Sequence, residues 1–357
     1  MNDVRMADAG ERRPKRVWMW PRTSGLNVYN NLLTEALMDA GLDVRDLSHG
    51  KLMLKIGKAR RGDVVHVHWF HHAYWHRNPV VSALKSTILI LTLTYMRLRG
   101  INLVWTIHNL YPHDSGRGGA ERLMRRLICR FSTGLIVASE SIKRKVKEEF
   151  GVPERKLHVV KHGHYLDVYK PQGLRVRELY GIGDDDDVFL FMGAIKPYKG
   201  VDDLVEAFRM VRTERTHLII AGKADAELEL YLQGLRREEG VILMPGFIPN
   251  EEVADLLNAA DALVLPYKEI TTSGSAILGL TFKKLVVMPD NEFIDDYFQE
   301  HMAIRYDPSF AGGLASALEE ARMLKRQRKS PDYEEALREL DWDVIARKTE
   351  LVYAGRG

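Results

Sequence analysis

The sequence predicts an α/β protein with two doubly wound, Rossmann-like domains. Short apolar runs alternate with amphipathic segments of helical period along its 357 residues. This alternation is typical of parallel sheets that are covered by helices on both faces. There are about eleven such runs, more than one sheet of this type usually holds, and a chain of this length has room for two hydrophobic cores.

Each half of the chain has its own series of predicted elements. The first series has strands at residues 16–20, 63–69, 102–108, 134–139 and 156–161, with helices at 29–40 and 121–130. The second series has strands at 188–192, 217–221, 241–244, 262–265, 285–289 and 304–306, with helices at 202–211 and 250–258. Because nearly all-apolar strands follow one another through helices, both sheets are expected to be parallel.

The seam between the domains is expected where Pro171, several glycines and the acidic run 184–187 interrupt this pattern. That acidic run is interpreted as a solvated turn, since it lacks the ligand spacing of a calcium loop. Asp341 is expected to cap a last helix. The predicted organisation is a disordered tail at 1–15, an N-terminal domain at 16–170, a C-terminal domain at 171–340 and a final helix at 341–357.

Composition and charge exclude several classes of protein. The net charge of +3 and the 28% of charged residues are those of an ordinary globular protein, and they do not favour a nucleic-acid-binding protein. A single cysteine, Cys129, excludes an internal disulfide framework and suits a cytoplasmic location. The apolar segment 86–96 is far shorter than the ~20 residues that span a bilayer.

Two segments leave a membrane-surface role open as an alternative. We interpret the apolar segment 86–96 as a helix buried on most sides, with a membrane-surface element as the alternative. The stretch 51–61 carries five basic residues around an apolar run. It is interpreted as a solvated helix face, with contact to an anionic membrane as the alternative.

A predicted anion cradle follows the strand at 188–192. The strand stops at Gly193, and a short loop with Lys196 and Lys199 leads into the helix at 202–211. Unpaired backbone N–H groups and the positive end of a helix dipole converge at such a turn. Together with two mobile ammonium groups, they would suit a diphosphate.

A second cradle is predicted after the strand at 262–265. Thr272, Ser273, Gly274 and Ser275 are small residues whose N–H groups can open a helix toward an anion. The same residues would also serve a plain capped helix start. Because parallel strands present their carboxyl ends at one edge, this loop and the Gly193 loop are expected to converge on one phosphate-bearing ligand.

In the first domain, two strand ends carry candidate site residues. Gly25 and Asn27 follow the first strand and would present a backbone surface to a ligand, or form a plain capped loop. His108 and Asn109 follow the third strand, where a histidine can bind a sugar hydroxyl or act as acid or base. A buried structural histidine is the alternative, and Asp114 is a further candidate general base.

Five histidines between His66 and His76 raise the question of a metal site. His66 and His68 would point the same way from a strand, but no acidic partner follows at ligand spacing. We therefore expect no metal, and we interpret the segment as an aromatic and imidazole surface facing a ligand or acceptor.

In their order and spacing these motifs resemble the nucleotide-sugar glycosyltransferases of the GT-B fold, group-1 and family-4-like. The resemblance covers residues 17–355 and is strongest over 134–289, including 157–165, 193–200, 245–247, 259–266 and 273–287. It implies two Rossmann-like domains facing a central cleft, with the donor on the C-terminal domain. It also implies that the last helix crosses back to the first domain and that His108 faces the donor sugar.

The sequence departs from the family pattern at the donor site. The family usually has two glutamates eight residues apart, whereas Ile270 and Leu278 occupy those positions here. Glu269 is a candidate replacement for the first. Ala194 stands where an arginine often follows the loop glycine, so we expect Lys196 to take over that role.

The predicted function is transfer of a hexosyl unit from GDP-mannose or a UDP-hexose to a saccharide, glycolipid or other hydroxyl acceptor. No cofactor and no metal are expected, because Lys196, Lys199 and the backbone around Gly274 would stabilise the leaving diphosphate. The resemblance suggests a bacterial polysaccharide or glycolipid enzyme, cytoplasmic or peripheral at the inner face of the membrane. The alternatives are a non-catalytic sugar-nucleotide or glycan-binding homologue and, less favoured, a metal hydrolase using the histidine cluster.

Overall fold

The computed structural model describes residues 16–24, 28–47, 56–111, 118–268, 270, 272–299, 301–327 and 332–355. The chain forms two compact units. The first unit contains the residues up to Gly163 and those from Leu340 onward, and the second contains His164–Glu339. Residues 164–170 thus group with the second unit.

The first unit has a six-stranded parallel sheet in the order β2-β1-β3-β4-β5-β6. Its strands are β1 (Val17–Trp20), β2 (Val44–Asp46), β3 (Val64–Val67), β4 (Asn102–Thr106), β5 (Gly134–Val137) and β6 (Leu157–Val159). Its helices are α1 (Val28–Asp39), α2 (His71–Tyr74), α3 (Pro79–Leu98), α4 (Gly119–Phe131) and α5 (Glu140–Phe150), with α14 (Trp342–Tyr353) near the end of the chain. The sequence pattern missed β2, because this three-residue edge strand has only one buried side chain, Val44.

Alternate residues of this sheet belong to two separate hydrophobic clusters. Trp105 of β4 and Leu135 of β5 lie in one cluster, while Val104 and Ile136 lie in the other. Side chains of a strand alternate between the two faces, so the apolar runs cover both sides of the sheet. This arrangement explains why the strands read as continuous apolar runs.

Two glycines allow close packing of α14 in the first unit. A methyl group built at Gly134 would lie 2.7 Å from Val352 Cγ1, and one at Gly163 would lie 2.5 Å from the Trp342 ring. Asp341 accepts a hydrogen bond from the Asp343 N–H over 2.8 Å, so it caps this helix as predicted. The helix packs against α1, β4 and β5.

The helix predicted at 86–96 is longer and more exposed than expected. α3 spans 20 residues, and its buried side chains are Leu89, Thr92, Leu93 and Met96. The prediction that it is buried on most sides is wrong, because its apolar residues occupy two opposite faces and just one of them packs on the core. By length and composition, α3 is the one helix among the described residues that could cross a membrane, with 22% of its most apolar window buried.

The second unit also has a six-stranded parallel sheet, in the order β12-β11-β10-β7-β8-β9. Its strands are β7 (Asp187–Met192), β8 (Thr216–Gly222), β9 (Val241–Pro245), β10 (Ala262–Val264), β11 (Leu285–Pro289) and β12 (Ala303–Tyr306). Its helices are α6 (Val176–Leu179), α7 (Val201–Val211), α8 (Glu229–Leu235), α9 (Asn250–Ala259), α10 (Gly274–Thr281), α11 (Glu292–Tyr297), α12 (Gly313–Arg326) and α13 (Glu334–Glu339). Two parallel sheets with alternating helices confirm the predicted α/β class.

The acidic run before β7 is solvated in its first half alone. Asp184 and Asp185 are exposed, whereas Asp186 pairs with Arg215 and His217 over 3.0 and 3.1 Å. Asp187 is buried and pairs with Arg322 over 3.1 Å. The last two aspartates therefore form ion pairs that hold the start of β7, and they do not belong to a solvated turn.

Candidate functional site

The first part of the site is the turn that follows β7 in the second unit. Gly193 has φ +149°, a conformation that favours glycine, and its N–H donates to the Ala221 carbonyl over 2.9 Å. A methyl group built at Gly222 would lie 1.7 Å from the Gly193 oxygen. The turn therefore requires glycine at two neighbouring strand ends, and it brings the backbone of β7 and β8 together where β7 stops.

The second part is the start of α10, which lies beside this turn. The Ser273 side chain caps the helix by accepting from the Ala276 N–H over 3.1 Å. A methyl group built at Gly193 would lie 3.7 Å from Ser275 Oγ. The structure thus brings together the two loops that were expected to converge, with the N-terminus of α10 at the Gly193 turn. Gly274 also lies close to a hydroxyl, since a methyl group built on it would be 3.0 Å from Tyr165 Oη.

Two lysines of the Gly193 loop have no carboxylate partner among the described residues. Lys196 precedes the short 3₁₀ turn Pro197–Lys199, and Lys199 ends it. The Lys199 ammonium lies 3.5 Å from the centre of the Tyr267 ring and 5.3 Å from that of Tyr198. A cation held by an aromatic face rather than an ion pair remains able to bind an anion.

A third lysine nearby, Lys268, does have carboxylate partners. Lys268 pairs with Asp202 and Asp203 over 3.2 and 3.1 Å. These two aspartates lie in the first turn of α7. Lys268 is thus already neutralised, which leaves Lys196 and Lys199 as the candidate anion-binding lysines of this loop.

The remaining donor-side candidates give a mixed result. Thr272 Oγ1 is buried without a hydrogen-bond partner among the described residues. Leu278 is 8% exposed and lies on α10, which carries no acidic residue. The second glutamate position of the family pattern therefore holds no carboxylate. Glu269 lies outside the described residues.

The first unit has a candidate site of its own, which centres on two histidines at the ends of β3 and β4. His68 follows β3 and is buried, while His108 follows β4 and is partly buried. His68 Nδ1 lies 3.2 Å from His108 Nε2, so one ring donates to the other. Which ring carries the shared proton depends on the tautomer. The contact holds the His108 ring in one orientation.

Aromatic side chains surround this histidine pair. Trp69 stacks on His108 with ring centres 4.9 Å apart, and the edge of Tyr29 approaches His108 at 5.3 Å. Tyr29 also contacts His162 at 4.6 Å and Trp342 at 5.6 Å. The partly exposed indole of Trp69 is suited to the apolar face of a sugar, whereas Tyr29 is buried and packs within this group of rings.

Burial keeps these histidines neutral. Desolvation, followed by the nearby His162, lowers the pKa of His108 to about 3. Desolvation also lowers the pKa of His162 to about 4, and it lowers that of His68 well below its usual value. Near neutral pH, His108 can therefore donate or accept a hydrogen bond but carries no charge.

The His66 side chain is buried in the interior of the first unit and is hydrogen-bonded there. Its Nδ1 lies 2.7 Å from Tyr353 Oη, and its Nε2 lies 2.7 Å from Thr106 Oγ1. Both ring nitrogens are thus engaged by hydroxyl groups. No group of three potential metal ligands occurs in the part of the chain that the structure describes. This geometry does not favour a zinc site in the histidine-rich segment.

The loop after β1 is held by polar side chains of α1. Asn30 Nδ2 donates to the Pro21 carbonyl over 2.8 Å, and Thr34 Oγ1 donates to the Arg22 carbonyl over 2.7 Å. The predicted site residues Gly25 and Asn27 lie just beyond, outside the described residues.

A buried ion pair supports the chain after His108. The Asn109 carbonyl accepts from Arg125 Nη1 over 3.2 Å, and Arg125 pairs with Glu121 over 2.8 Å. Glu121 in turn accepts from the Tyr74 hydroxyl. Asn109 thus contributes its backbone to this network. Asp114, the candidate base, lies outside the described residues.

Two features of the candidate sites could not be recognised in the sequence alone. Tyr267 was assigned no role of its own, because its position beneath Lys199 depends on the packing of the β10 loop against the β7 loop. The pairing of His68 with His108 joins two strands 40 residues apart. The spacing of His66 and His68 did indicate that both rings lie on the same side of the strand, but not which of them reaches His108.

Comparisons with known proteins agree with this architecture. The family model of glycosyltransferase family 4 matches residues 37–168, and that of glycosyl transferases group 1 matches residues 175–330. A GDP-mannose:glycolipid 4-beta-D-mannosyltransferase from Xanthomonas campestris pv. campestris is 26% identical over 330 residues, covering 90% of this chain and 86% of that protein.

Solved structures show the same fold at lower identity. A sucrose-phosphate synthase from Thermosynechococcus elongatus has a TM-score of 0.72 at 17% identity and covers 94% of this chain and 97% of that one. Anabaena HepE in complex with UDP and glucose has a TM-score of 0.67 at 14% identity, covering 94% and 98%.

The fold is therefore that of the GT-B glycosyltransferases, as the sequence motifs predicted. The chain belongs to the group-1 glycosyltransferases and is a nucleotide-sugar glycosyltransferase.

Proposed function

We propose that this enzyme transfers a hexosyl unit, with GDP-mannose as the first donor to test and a UDP-hexose as the second, to a saccharide or lipid-linked hydroxyl acceptor. The observation that carries the proposal is the approach of the Gly193 turn to Ser275, in a loop with two lysines that have no carboxylate partner among the described residues. Backbone N–H groups, a helix N-terminus and two cationic side chains thus belong to two loops that approach each other beyond β7, a combination that suits a diphosphate.

In this proposal the second unit stabilises the leaving group. Breaking the glycosidic bond places negative charge on the nucleoside diphosphate, and the stabilisation of that charge is the main electrostatic task. Lys199 would leave the ring of Tyr267 to bind the diphosphate, while Lys196 would replace the missing arginine at Ala194. Each charge-assisted contact contributes about 1.5–3 kcal/mol. Because these groups supply the positive charge themselves, we propose that the reaction needs no metal ion.

The first unit supplies the sugar-binding group. A neutral His108, oriented by His68, would accept or donate a hydrogen bond to a hydroxyl of the transferred hexose. Trp69 would contact an apolar face of the sugar, while the buried Tyr29 packs against the His108 ring. Gly25, Asn27, Asn109, Thr272 and Glu269 remain proposed donor-side or acceptor-side residues. Asp114 is the proposed base if the reaction inverts the anomeric configuration.

The choice of GDP-mannose and of a glycolipid acceptor rests on the name of the Xanthomonas relative. It is supported by the extent of the similarity, which covers both units. We further propose that the enzyme acts in the cytoplasm at the inner face of a membrane, where it serves the synthesis of a polysaccharide or glycolipid.

A transfer assay tests the proposed function directly. The enzyme would be incubated with GDP-mannose, UDP-glucose or UDP-galactose and a bacterial lipid extract, with and without EDTA. We expect release of one nucleoside diphosphate, together with a glycolipid heavier by one hexose in the mass spectrum, both unaffected by EDTA. NMR of the product then gives its anomeric configuration, and a retained anomer removes Asp114 from the role of base.

The absence of a carboxylate at Leu278 favours a second candidate, a homologue that binds a sugar nucleotide without turning it over. The two candidates differ in a single-turnover experiment with stoichiometric enzyme. Saturable nucleotide binding with no hexose transfer to any fraction of the lipid extract would support the binding protein and contradict the transferase.

A further inference from the structure

One face of α3 is a continuous apolar stripe that no other described element covers. The stripe consists of residues spaced three and four apart along the helix: Val80, Leu84, Ile88, Leu91, Tyr95 and Leu98. At 100° per residue they lie within about 80° of arc. Leu84 and Leu91 are each 60% exposed, and Leu98 is 82% exposed. Exposed apolar surface of this extent marks an interaction site.

The opposite face of α3 fixes the helix to the first unit. Leu89, Leu93 and Met96 are each 2% exposed and belong to the hydrophobic cluster of the first unit. A helix that crossed a bilayer would lose all of this packing. The exposed stripe can therefore enter an apolar phase only while α3 lies flat, with its axis parallel to the surface.

The polar groups beside the stripe are compatible with an apolar phase. Thr87 Oγ1 donates to the Ala83 carbonyl over 3.0 Å, and Thr94 Oγ1 donates to the Ile90 carbonyl over 2.9 Å. Both hydroxyl donors are thus satisfied inside the helix and need no water. Neither threonine interrupts the stripe.

The charge around α3 is strongly one-sided. Residues 56–111, the described segment that contains α3, carry seven lysines and arginines and a single acidic residue, although the whole chain has a net charge of only +3. That residue, Asp63, is buried and bound by Arg16 and the Trp18 indole N–H. No exposed carboxylate from this part of the chain opposes the basic residues.

Basic side chains gather at the C-terminal end of the stripe. Arg97 and Arg99 are exposed there, and Arg61 packs against Gly100. The guanidinium of Arg99 lies 5.7 Å from the centre of the Tyr95 ring. At the other end, just before α3, Trp75 is 37% exposed, and indole rings favour the membrane interface.

We propose that this stripe, with Arg61, Arg97 and Arg99, docks the enzyme on the surface of an anionic lipid bilayer. An apolar helical face with flanking basic groups is the combination that binds the interface of such a membrane. A second copy of the chain is the weaker candidate occupant, because pairing two stripes would bring together two copies of the same basic segment, which has no exposed carboxylate to balance the charge. The proposal extends the proposed function by assigning the surface that brings the active site to a lipid-linked acceptor.

Vesicle flotation tests this proposal without donor or acceptor. We expect the enzyme to float with phosphatidylcholine vesicles that contain 30% phosphatidylglycerol, but much less with pure phosphatidylcholine, and 0.5 M NaCl should weaken the binding. Leu84→Gln/Leu91→Gln and Arg97→Gln/Arg99→Gln should each lower the partition coefficient at least about tenfold. The matched control Leu230→Gln/Met323→Gln changes two exposed apolar residues of the second unit and should leave binding unchanged.

Three results would overturn the proposal: no flotation of the wild type, equal flotation of the stripe variant and the control, or a dimer in light scattering that Leu84→Gln/Leu91→Gln dissolves. Thermal melting confirms that each variant is folded. Transfer to a water-soluble acceptor is measured in parallel, because it depends on the proposed function and not on docking. For the wild type, no flotation with intact transfer would show that the docking proposal has failed. Intact flotation without transfer would show that the proposed function has failed.

Discussion

His68 and His108 are joined by a 3.2 Å contact between Nδ1 and Nε2, at the ends of neighbouring strands of the first sheet. Both rings are neutral because burial lowers the pKa of each. A neutral pair shares one proton, so the orientation and the tautomer of His108 depend on His68. We therefore regard His68 as a positioning residue for the histidine proposed to bind the hexose.

Removal of the His68 ring tests this role. His68→Leu should lower kcat about three- to tenfold, since one neutral hydrogen bond contributes about 0.5–1.5 kcal/mol. His68→Asn should recover part of the loss, because its side-chain amide can take the place of Nδ1. His72→Leu, an exposed histidine of the same segment, is the control. The account is wrong on this point if His68→Leu and His72→Leu have the same kcat, or if His68→Asn is no better than His68→Leu.

Lys199→Ala should lower kcat/KM about ten- to a hundredfold without loss of folding, because it removes a charge-assisted contact to the leaving diphosphate. Lys268→Ala is the matched control, since Lys268 lies nearby but is neutralised by Asp202 and Asp203. Initial rates over a range of donor concentrations measure both. A fully active Lys199→Ala enzyme would remove the lysine from the donor site.

Alanine substitutions at Gly222 and Gly173 distinguish the energetic cost of a close contact from the cost of an unfavourable backbone conformation. Both have positive φ, but a methyl group at Gly173 meets nothing within 4 Å, whereas one at Gly222 would overlap the Gly193 oxygen. We expect Gly173→Ala to cost about 1–2 kcal/mol, and Gly222→Ala about 1–3 kcal/mol more. Gly222→Ala should also weaken nucleotide binding, because the Gly193 turn must move.

Urea unfolding followed by far-UV circular dichroism measures the two free energies of unfolding, and calorimetric titration measures nucleotide binding. Equal stability of the two variants, with unchanged nucleotide affinity, would show that the Gly193 turn tolerates displacement.

Acid should destabilise the first unit. The pKa of His66 is lowered to about 3, that of His108 to about 3 and that of His162 to about 4, mainly by burial. Below the unfolded value of 6.5, the unfolded chain therefore binds more protons than the native state. Stability is fully present above pH 6.5 and falls as the pH drops toward 4, by up to about 1.4 kcal/mol per pH unit for each group.

All six tryptophans lie in the first unit, so their fluorescence reports its unfolding selectively. Urea titrations at pH 7, 6 and 5 measure the slope of stability against pH. His66→Gln should give a shallower slope, while His76→Gln, at an exposed position, should leave it unchanged. A slope that is flat in the wild type would mean that these rings are not protonated on unfolding.

Much of the fold could be predicted because apolar runs and amphipathic helices leave a direct pattern in the sequence. The end of β7 and the start of α10 were placed correctly, since Gly193 and Ser273 mark them locally. The exposure of α3 could not be predicted, because the sequence pattern of an apolar helix is the same whether one face or both faces pack on a core. Nor could β2, which is too short to show a period.

The sequence predicted the loops of the candidate site better than the contacts between its side chains. The approach of Ser275 to Gly193 follows from parallel topology, so the sequence could anticipate it. The stacking of Lys199 on Tyr267 and the capture of His66 by Tyr353 depend on side chains far apart in the chain. Such pairings leave no periodic signal, and the structure was needed to reveal them.

The central claim is that the Gly193 turn, the start of α10 and Lys199 form a binding site for a nucleoside diphosphate. Thermal-shift titration with GDP, UDP and ADP, in EDTA, tests it most directly on the wild type, Lys199→Ala and Lys268→Ala. Binding to the native state stabilises it by about 2.7 kcal/mol at a hundred times the dissociation constant. We predict a marked upward shift with one nucleotide for the wild type and Lys268→Ala, and a much smaller one for Lys199→Ala. No shift with any nucleotide, or equal shifts for all three proteins, would contradict the account.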